Sequence, residues 1–286
     1  MIYLLLCIFS TAGIMVIFKI AGNLKLDTFS IIIINYFTAA LLGFSLGGLP
    51  ARSDFSAGWV PMAVIIGILF IVMFFVIALS TQKAGIAVTS VASKMSVVIP
   101  ITFSIIYFNE AVDALKFTGI MLALVSVFMT TYNRDKTKKR GIEVIILPLT
   151  LFVGAGLIDS LIKFTQQVFI VEQSTIMFTS VLFSISAITG VIFSFFRKGL
   201  FRSGNFLRIM AAGIMLGIVN FGSLYGLIMA LDSNILASSI IFGINNMGIV
   251  VLSVLIALLF FREKLSALNK AGIALSILTI IFLSYL

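Results

Sequence analysis

Ten apolar runs divide the chain, at residues 2–20, 29–48, 60–80, 84–108, 113–132, 143–166, 174–196, 206–230, 234–261 and 266–286. Each is close to the length of roughly 20 apolar residues that a helix needs to cross a bilayer. None shows the alternation of a lipid-embedded barrel strand. An isolated strand cannot satisfy its own backbone in lipid, so every run predicts a helix. The most polar link, Asn133-Arg-Asp-Lys-Thr-Lys-Lys-Arg-Gly141, leaves five runs on either side. The pattern therefore predicts an all-α membrane protein of ten transmembrane helices. Residues 1–133 form a first set of five, 134–141 a basic linker and 142–286 a second set.

Composition removes the soluble alternatives. Of 286 residues, 61% are hydrophobic and 10% are charged, with a mean hydropathy of +1.26. A soluble domain carries about 25% charged residues. The net charge of +9 does not indicate a nucleic-acid partner, because the basic residues occupy short links between apolar runs. Lys25, Lys83, Arg134, Lys136, Lys138, Lys139, Arg140, Arg197, Lys198, Arg202, Arg262 and Lys264 all follow odd-numbered runs. The links after even-numbered runs offer little beyond Arg52 and Lys116. The positive-inside rule assigns the basic set to the cytoplasm, with both termini outside a bacterial inner (plasma) membrane. Cys7 is the single cysteine, so no intrachain disulfide is expected. With no basic residue before the first run, residues 1–20 read as a retained span rather than a cleaved signal. The absence of histidine removes the commonest metal ligand. No metal or cofactor is expected.

The two halves resemble each other. Phe108-Asn-Glu-Ala-Val-Asp-Ala-Leu-Lys-Phe-Thr-Gly-Ile120 aligns without gaps on Phe261-Arg-Glu-Lys-Leu-Ser-Ala-Leu-Asn-Lys-Ala-Gly-Ile273. Glu110/Glu263 and Gly119/Gly272 match in register, and Asp113 and Ser266 fall where a helix N-cap is wanted. Lys19 and Lys163 correspond in a second, weaker block. Repeats of five spans enter the membrane from opposite sides. The expectation is two inverted repeats, an arrangement that underlies alternating access around a midplane site.

On these features the chain resembles the drug/metabolite transporter superfamily, in its ten-helix EamA-like branch. The resemblance covers the whole chain. It rests on the duplication and on the fourth-span endings Pro100-Ile-Thr-Phe-Ser-Ile-Ile-Tyr-Phe-Asn-Glu110 and Ser253-Val-Leu-Ile-Ala-Leu-Leu-Phe-Phe-Arg-Glu263. The second half has Ser253 where the family often has proline. The resemblance implies a carrier with a central cavity lined mainly by spans 1, 3, 4, 6, 8 and 9. Members move amino acids, nucleotide sugars, phosphorylated sugars, choline, drugs and other small solutes.

Ionisable residues inside spans are expensive and mark function by default. At about 100° per residue, Thr89, Ser93, Ser96 and Pro100 form one stripe of span 4, with Ser90 and Lys94 beside it. Span 9 repeats the design, with Ser238, Ser239, Asn245, Asn246 and Ser253 in one sector. The repeat alignment lays Asn245-Asn246-Met247 over Ala92-Ser93-Lys94. Such serines serve equally well as glue between helices, whereas Lys94 with Asn245 and Asn246 points to a substrate cavity. Asn220 in span 8 is a further candidate lining residue. In span 6, Asp159 and Lys163 have the order and spacing of an i, i+4 ion pair. Alternatively Asp159 meets Lys94, and substrate or a proton competes for that contact. Lys19 closes its span as a gate latch or by snorkelling to the headgroups. Gly43/Gly47 and Gly213/Gly217 are spaced for close helix approach, and Trp59 falls where interfacial anchors do.

These observations lead to an expected secondary transporter of a small polar or anionic metabolite, amino-acid-like or related, working by alternating access as an exporter. No Gly-x-x-x-x-Gly-Lys-[Ser/Thr] loop occurs, so protons or a counter-substrate would drive it. The lipid bilayer is its setting, and a monomer or homodimer suffices. The competing readings are a non-transporting membrane subunit, and a flippase or enzyme acting on a lipid-linked substrate. An enzyme would need carboxylates or histidines clustered at a membrane face, and the few acids are dispersed.

Overall fold

The computed structural model describes residues 1–49, 58–107, 114–132, 141–169, 175–196, 205–233 and 238–284. Glu110, Asp113, the basic segment 133–140 and the side chains of Ser238 and Ser239 lie outside the described residues. The remaining chain is helical: α1 (Ile2–Asn23), α2 (Thr28–Gly47), α3 (Val60–Lys83), α4 (Ile86–Met95), α5 (Val98–Tyr107), α6 (Ala114–Thr131), α7 (Glu143–Phe169), α8 (Thr175–Phe196), α9 (Phe206–Asp232), α10 (Ser238–Leu259) and α11 (Ala267–Ser284).

Among the described residues, nine helical stretches are long and apolar enough to cross a membrane, with Ile86–Tyr107 counted as one. The last, Ala267–Leu283, is a shorter apolar helix. Polarity runs opposite to that of a water-soluble protein. Leu41, Phe128, Val153, Phe196 and Ile218 are exposed, while Asn35, Ser80, Ser126, Ser186, Ser253 and Ser276 are buried. Water would reject such a surface, but lipid does not. The chain is an all-α, multi-span integral membrane protein.

The inward serines and threonines satisfy themselves locally. Thr89, Ser90, Ser126 and Thr130 donate to carbonyls three or four residues earlier. Ser186 also crosses to the Gly67 carbonyl of α3 at 2.8 Å. Small residues bring backbones together, as their spacing predicts. At Gly217 of α9 an added Cβ would stand 2.7 Å from the Asn35 carbonyl oxygen of α2, which only glycine avoids. Trp59 departs from its expected role as an interfacial anchor. It is buried, edge-on to Phe178 with centroids 5.6 Å apart, because α3 packs against α8 at that level.

The fourth span differs from the single straight helix of the pattern. It breaks at Ser96-Val97, between α4 and α5. Pro100 lacks the N–H that would reach the Ser96 carbonyl four residues back. That carbonyl instead accepts from Ile99 at 2.9 Å, and Ser96 Oγ bonds the Ser93 carbonyl at 2.6 Å. The uniform polar stripe is therefore interrupted just beyond Lys94.

α6 and α11 pack side by side and are fastened where α6 ends and α11 begins. Ser266 accepts from the Asn269 N–H at 3.1 Å and so caps α11 as expected. Asn269 Nδ2 then donates to the Thr130 and Tyr132 carbonyls at 2.6 and 3.2 Å, closing the C-terminal end of α6.

Candidate functional site

α4 positions the central cation. It starts at Gly85, whose φ of +106° only glycine adopts without strain. Ile86 to Ala92 are all buried, fixed between α7 and α10. Ser93 and Lys94 are the first side chains of the helix with open surface. Thr89 and Ser90 turn into packing contacts, with Thr89 Oγ1 2.8 Å from Ser80 Oγ. The expected polar face thus shrinks to Ser93 and Lys94.

Asp159 of α7 lies within electrostatic range of Lys94. It sits about 120–160° round α7 from Ile146, Val153 and Leu157, the exposed stripe of that helix. One turn of chain away, Gly156 lies against Ile99 and the Ser96 carbonyl at the α4–α5 break. Asp159 is nevertheless exposed. Among the described residues, Lys94 and Asp159 form no ion pair with each other or with any third group. The two opposite charges act on one another across the α4–α7 contact.

α10 and α1 supply the adjoining wall. Asn245 is 3% exposed, and its Oδ1 has no hydrogen-bond partner among the described residues. Its side chain neighbours the Cys7 thiol, which lies 4.0 Å from Thr11 Oγ1 and within electrostatic range of Lys94. Asn246 is half-buried on the same turn. Residues from α1, α4, α7 and α10 thus converge. The sequence reading gives Cys7 and Thr11 no place in the site, although their i, i+4 polar spacing on an apolar span is a usable signal.

Two candidates turn elsewhere. Asn220 is buried at the α2–α9 interface beside Asn35, whose amide N–H donates to the Leu216 carbonyl at 3.2 Å. This is interhelical hydrogen bonding, not cavity lining. Lys163 does not pair with Asp159. It donates to Ser104 Oγ of α5 at 2.5 Å, because α5 packs directly on α7. An apolar hollow of about 160 Å³ between α6 and α7, lined by Leu124, Phe128, Thr131, Tyr132, Leu149 and others, contains none of the charged groups.

Lys19 does not snorkel. Its Nζ is 3.0 Å from Glu263 Oε1 and 3.3 Å from the Thr81 carbonyl oxygen. Glu263 comes from the turn after α10, yet it accepts the N–H groups of Ile86 at 2.9 Å and Ala87 at 3.4 Å. A carboxylate from the second half thus caps the helix of the first half that bears Lys94, and Lys19 of α1 neutralises it. Gly85 makes this possible twice over, since a Cβ there would stand 2.6 Å from the carboxylate.

No family model matches the chain. A Haemophilus influenzae protein described as uncharacterized is 26% identical over 300 residues, across 100% of this chain and 97% of the relative.

Proposed function

We propose that this protein is a secondary transporter of a small polar metabolite, built as two inverted five-helix repeats in the manner of the EamA-like carriers it resembles. The observation that carries the reading is the pair Lys94 and Asp159, one from each half, within electrostatic range across the α4–α7 contact and, among the described residues, in no ion pair. A structural subunit would gain by pairing such charges, since a charge held inside a span is costly to insert. A carrier needs them free for its solute.

The packing supports the repeat. Residues in α1 contact α9 and α10, and the corresponding α7 contacts α3 and α4–α5, so partners are exchanged between halves. Gly119 meets Leu283 and Gly272 meets Thr130, a reciprocal pair at the α6–α11 interface. In this reading the Lys19–Glu263 contact is a latch. It joins α1, α4 and the end of α10 at one end of the bundle, and its release frees α4 to move.

The test is counterflow in liposomes carrying the purified protein, with candidate solutes drawn from a metabolite pool by thermal stabilisation. Lys94→Met is expected to abolish counterflow while Asn220→Leu preserves it. Full counterflow by a folded, inserted Lys94→Met protein would overturn the role of Lys94. A wild-type protein that moves no solute would overturn transport itself.

A further inference from the structure

We infer that an anionic phospholipid occupies the hollow between α6 and α7, with an acyl chain in the hollow and its headgroup held by the basic link that joins the two halves. The hollow lies where the halves meet, since α6 is the last helix of the first and α7 the first of the second. Val127 and Phe152 form its buried floor, while Leu124, Phe128, Tyr132 and Leu149 are exposed around it. The Phe128 and Tyr132 rings stand 5.5 Å apart along one wall. The Thr131 hydroxyl already donates to the Val127 carbonyl at 2.8 Å, so it asks for no polar partner. Such a hollow, facing the bilayer, suits a hydrocarbon chain. Apolar fit alone does not choose among lipids, because their tails are equally apolar. The choice comes from charge. The link from Tyr132 to Gly141 carries Arg134, Lys136, Lys138, Lys139 and Arg140 against Asp135 alone. None of these residues is more than four along the chain from Tyr132 or Gly141, so chain length alone keeps each within about 14 Å of one of them. Negative groups on the described helix ends beside the link are already satisfied. Lys83 pairs with Glu143 in the first turn of α7, and Asn269 Nδ2 donates to the Thr130 and Tyr132 carbonyls at the end of α6. Clustered Lys and Arg beside a membrane helix attract anionic headgroups. So placed, the lipid packs against both halves. The hollow contains neither Lys94 nor Asp159, so the inference stands apart from the transport reading.

The experiment is native mass spectrometry of the purified full chain in detergent, titrated with dioleoyl phosphatidylglycerol or dioleoyl phosphatidylcholine, which share their tails. Phosphatidylglycerol should be retained at least about tenfold more tightly than phosphatidylcholine, with the preference shrinking as salt is raised. Replacing the link cations together (Arg134→Gln, Lys136→Gln, Lys138→Gln, Lys139→Gln and Arg140→Gln) should remove the preference and leave weak retention of either lipid. Leu149→Trp, which fills the hollow, should lower retention of both. If either variant fails to fold, glycerol phosphate, the headgroup without its tails, decides on wild-type protein, where it should not displace phosphatidylglycerol. Displacement by glycerol phosphate makes this a free-anion site on the link and overturns the inference. Equal retention of the two lipids by wild-type protein overturns it, as does unaltered retention by Leu149→Trp. A homodimer that Leu149→Trp dissociates, with lipid retention unchanged, assigns the hollow to a second copy and overturns it as well.

Discussion

The Lys19–Glu263 contact predicts a coupling that a single cysteine can report. At 3.0 Å and an effective dielectric of about 20, the gross attraction is about 332/(20 × 3.0), or roughly 5.5 kcal/mol. The two side chains are 17% and 11% exposed, so salt screens them little, but their desolvation cancels about half of that gain. A net coupling of about 2–3 kcal/mol remains. Glu263→Gln keeps an acceptor for the Ile86 N–H but strands the Lys19 charge, so its cost should approach that coupling. Glu263→Ala loses the cap as well, a further cost of about 1 kcal/mol. Lys19→Met should cost less, because the N-terminus of α4 still stabilises the carboxylate. Cys7 is buried and unique in the chain, so its rate of maleimide labelling measures opening of the bundle. A loss of about 2 kcal/mol corresponds to roughly a 30-fold rise in the open population. Glu263→Gln should label faster by up to that factor, with Cys7→Ser as the unlabelled control. Lys19→Met combined with Glu263→Gln should cost clearly less than the sum of the two. Additivity within about 0.5 kcal/mol, the behaviour of independent sites, would refute the latch.

Three further outcomes follow from the packing. Gly85→Ala forces a side chain onto a φ of +106° and into the Glu263 carboxylate. It should cost at least about 1–2 kcal/mol and raise Cys7 labelling as Glu263→Gln does. Pro100→Ala restores an N–H toward the Ser96 carbonyl, so α4 and α5 should merge into one straighter helix. The expectation is unimpaired thermal stability with reduced transport, since Lys94 sits just before the break. Asn220→Leu should lower stability by about 0.6–1.7 kcal/mol by removing one polar neighbour of the Asn35 amide, which keeps the Leu216 carbonyl, and Asn35→Leu in the same protein should recover part of it. Solute preference, read by competition, should be unchanged in both.

Membrane residence and helical content were legible from the apolar runs alone, because lipid admits few other solutions. The cap on α11 was legible too, since Ser266 and its N–H partner are three residues apart. Lys94 and Asp159 announced themselves by charge, which no span carries without cost. What local pattern could not reveal was partnership. Asp159 and Lys163 have the spacing of a pair, but α5 offers Lys163 a hydroxyl and leaves Asp159 facing inward. Asn220 reads as a cavity residue until α2 presents Asn35 against it. Cys7 and Thr11 look like ordinary small residues of an apolar helix until α10 and α4 close beside them.

The sequence by itself thus determined the solvent, the helices and which residues carried a charge into the bundle. Those properties follow from hydropathy and from the backbone's need for hydrogen bonds, which act along a single chain segment. Only the tertiary structure decided which charges are spent on holding helices and which stand free. Glu263 reaches helix α4 from 177 residues away to be neutralised by Lys19, while Lys94 and Asp159 remain apart. That division depends on distances between helices, which no periodicity along the chain encodes.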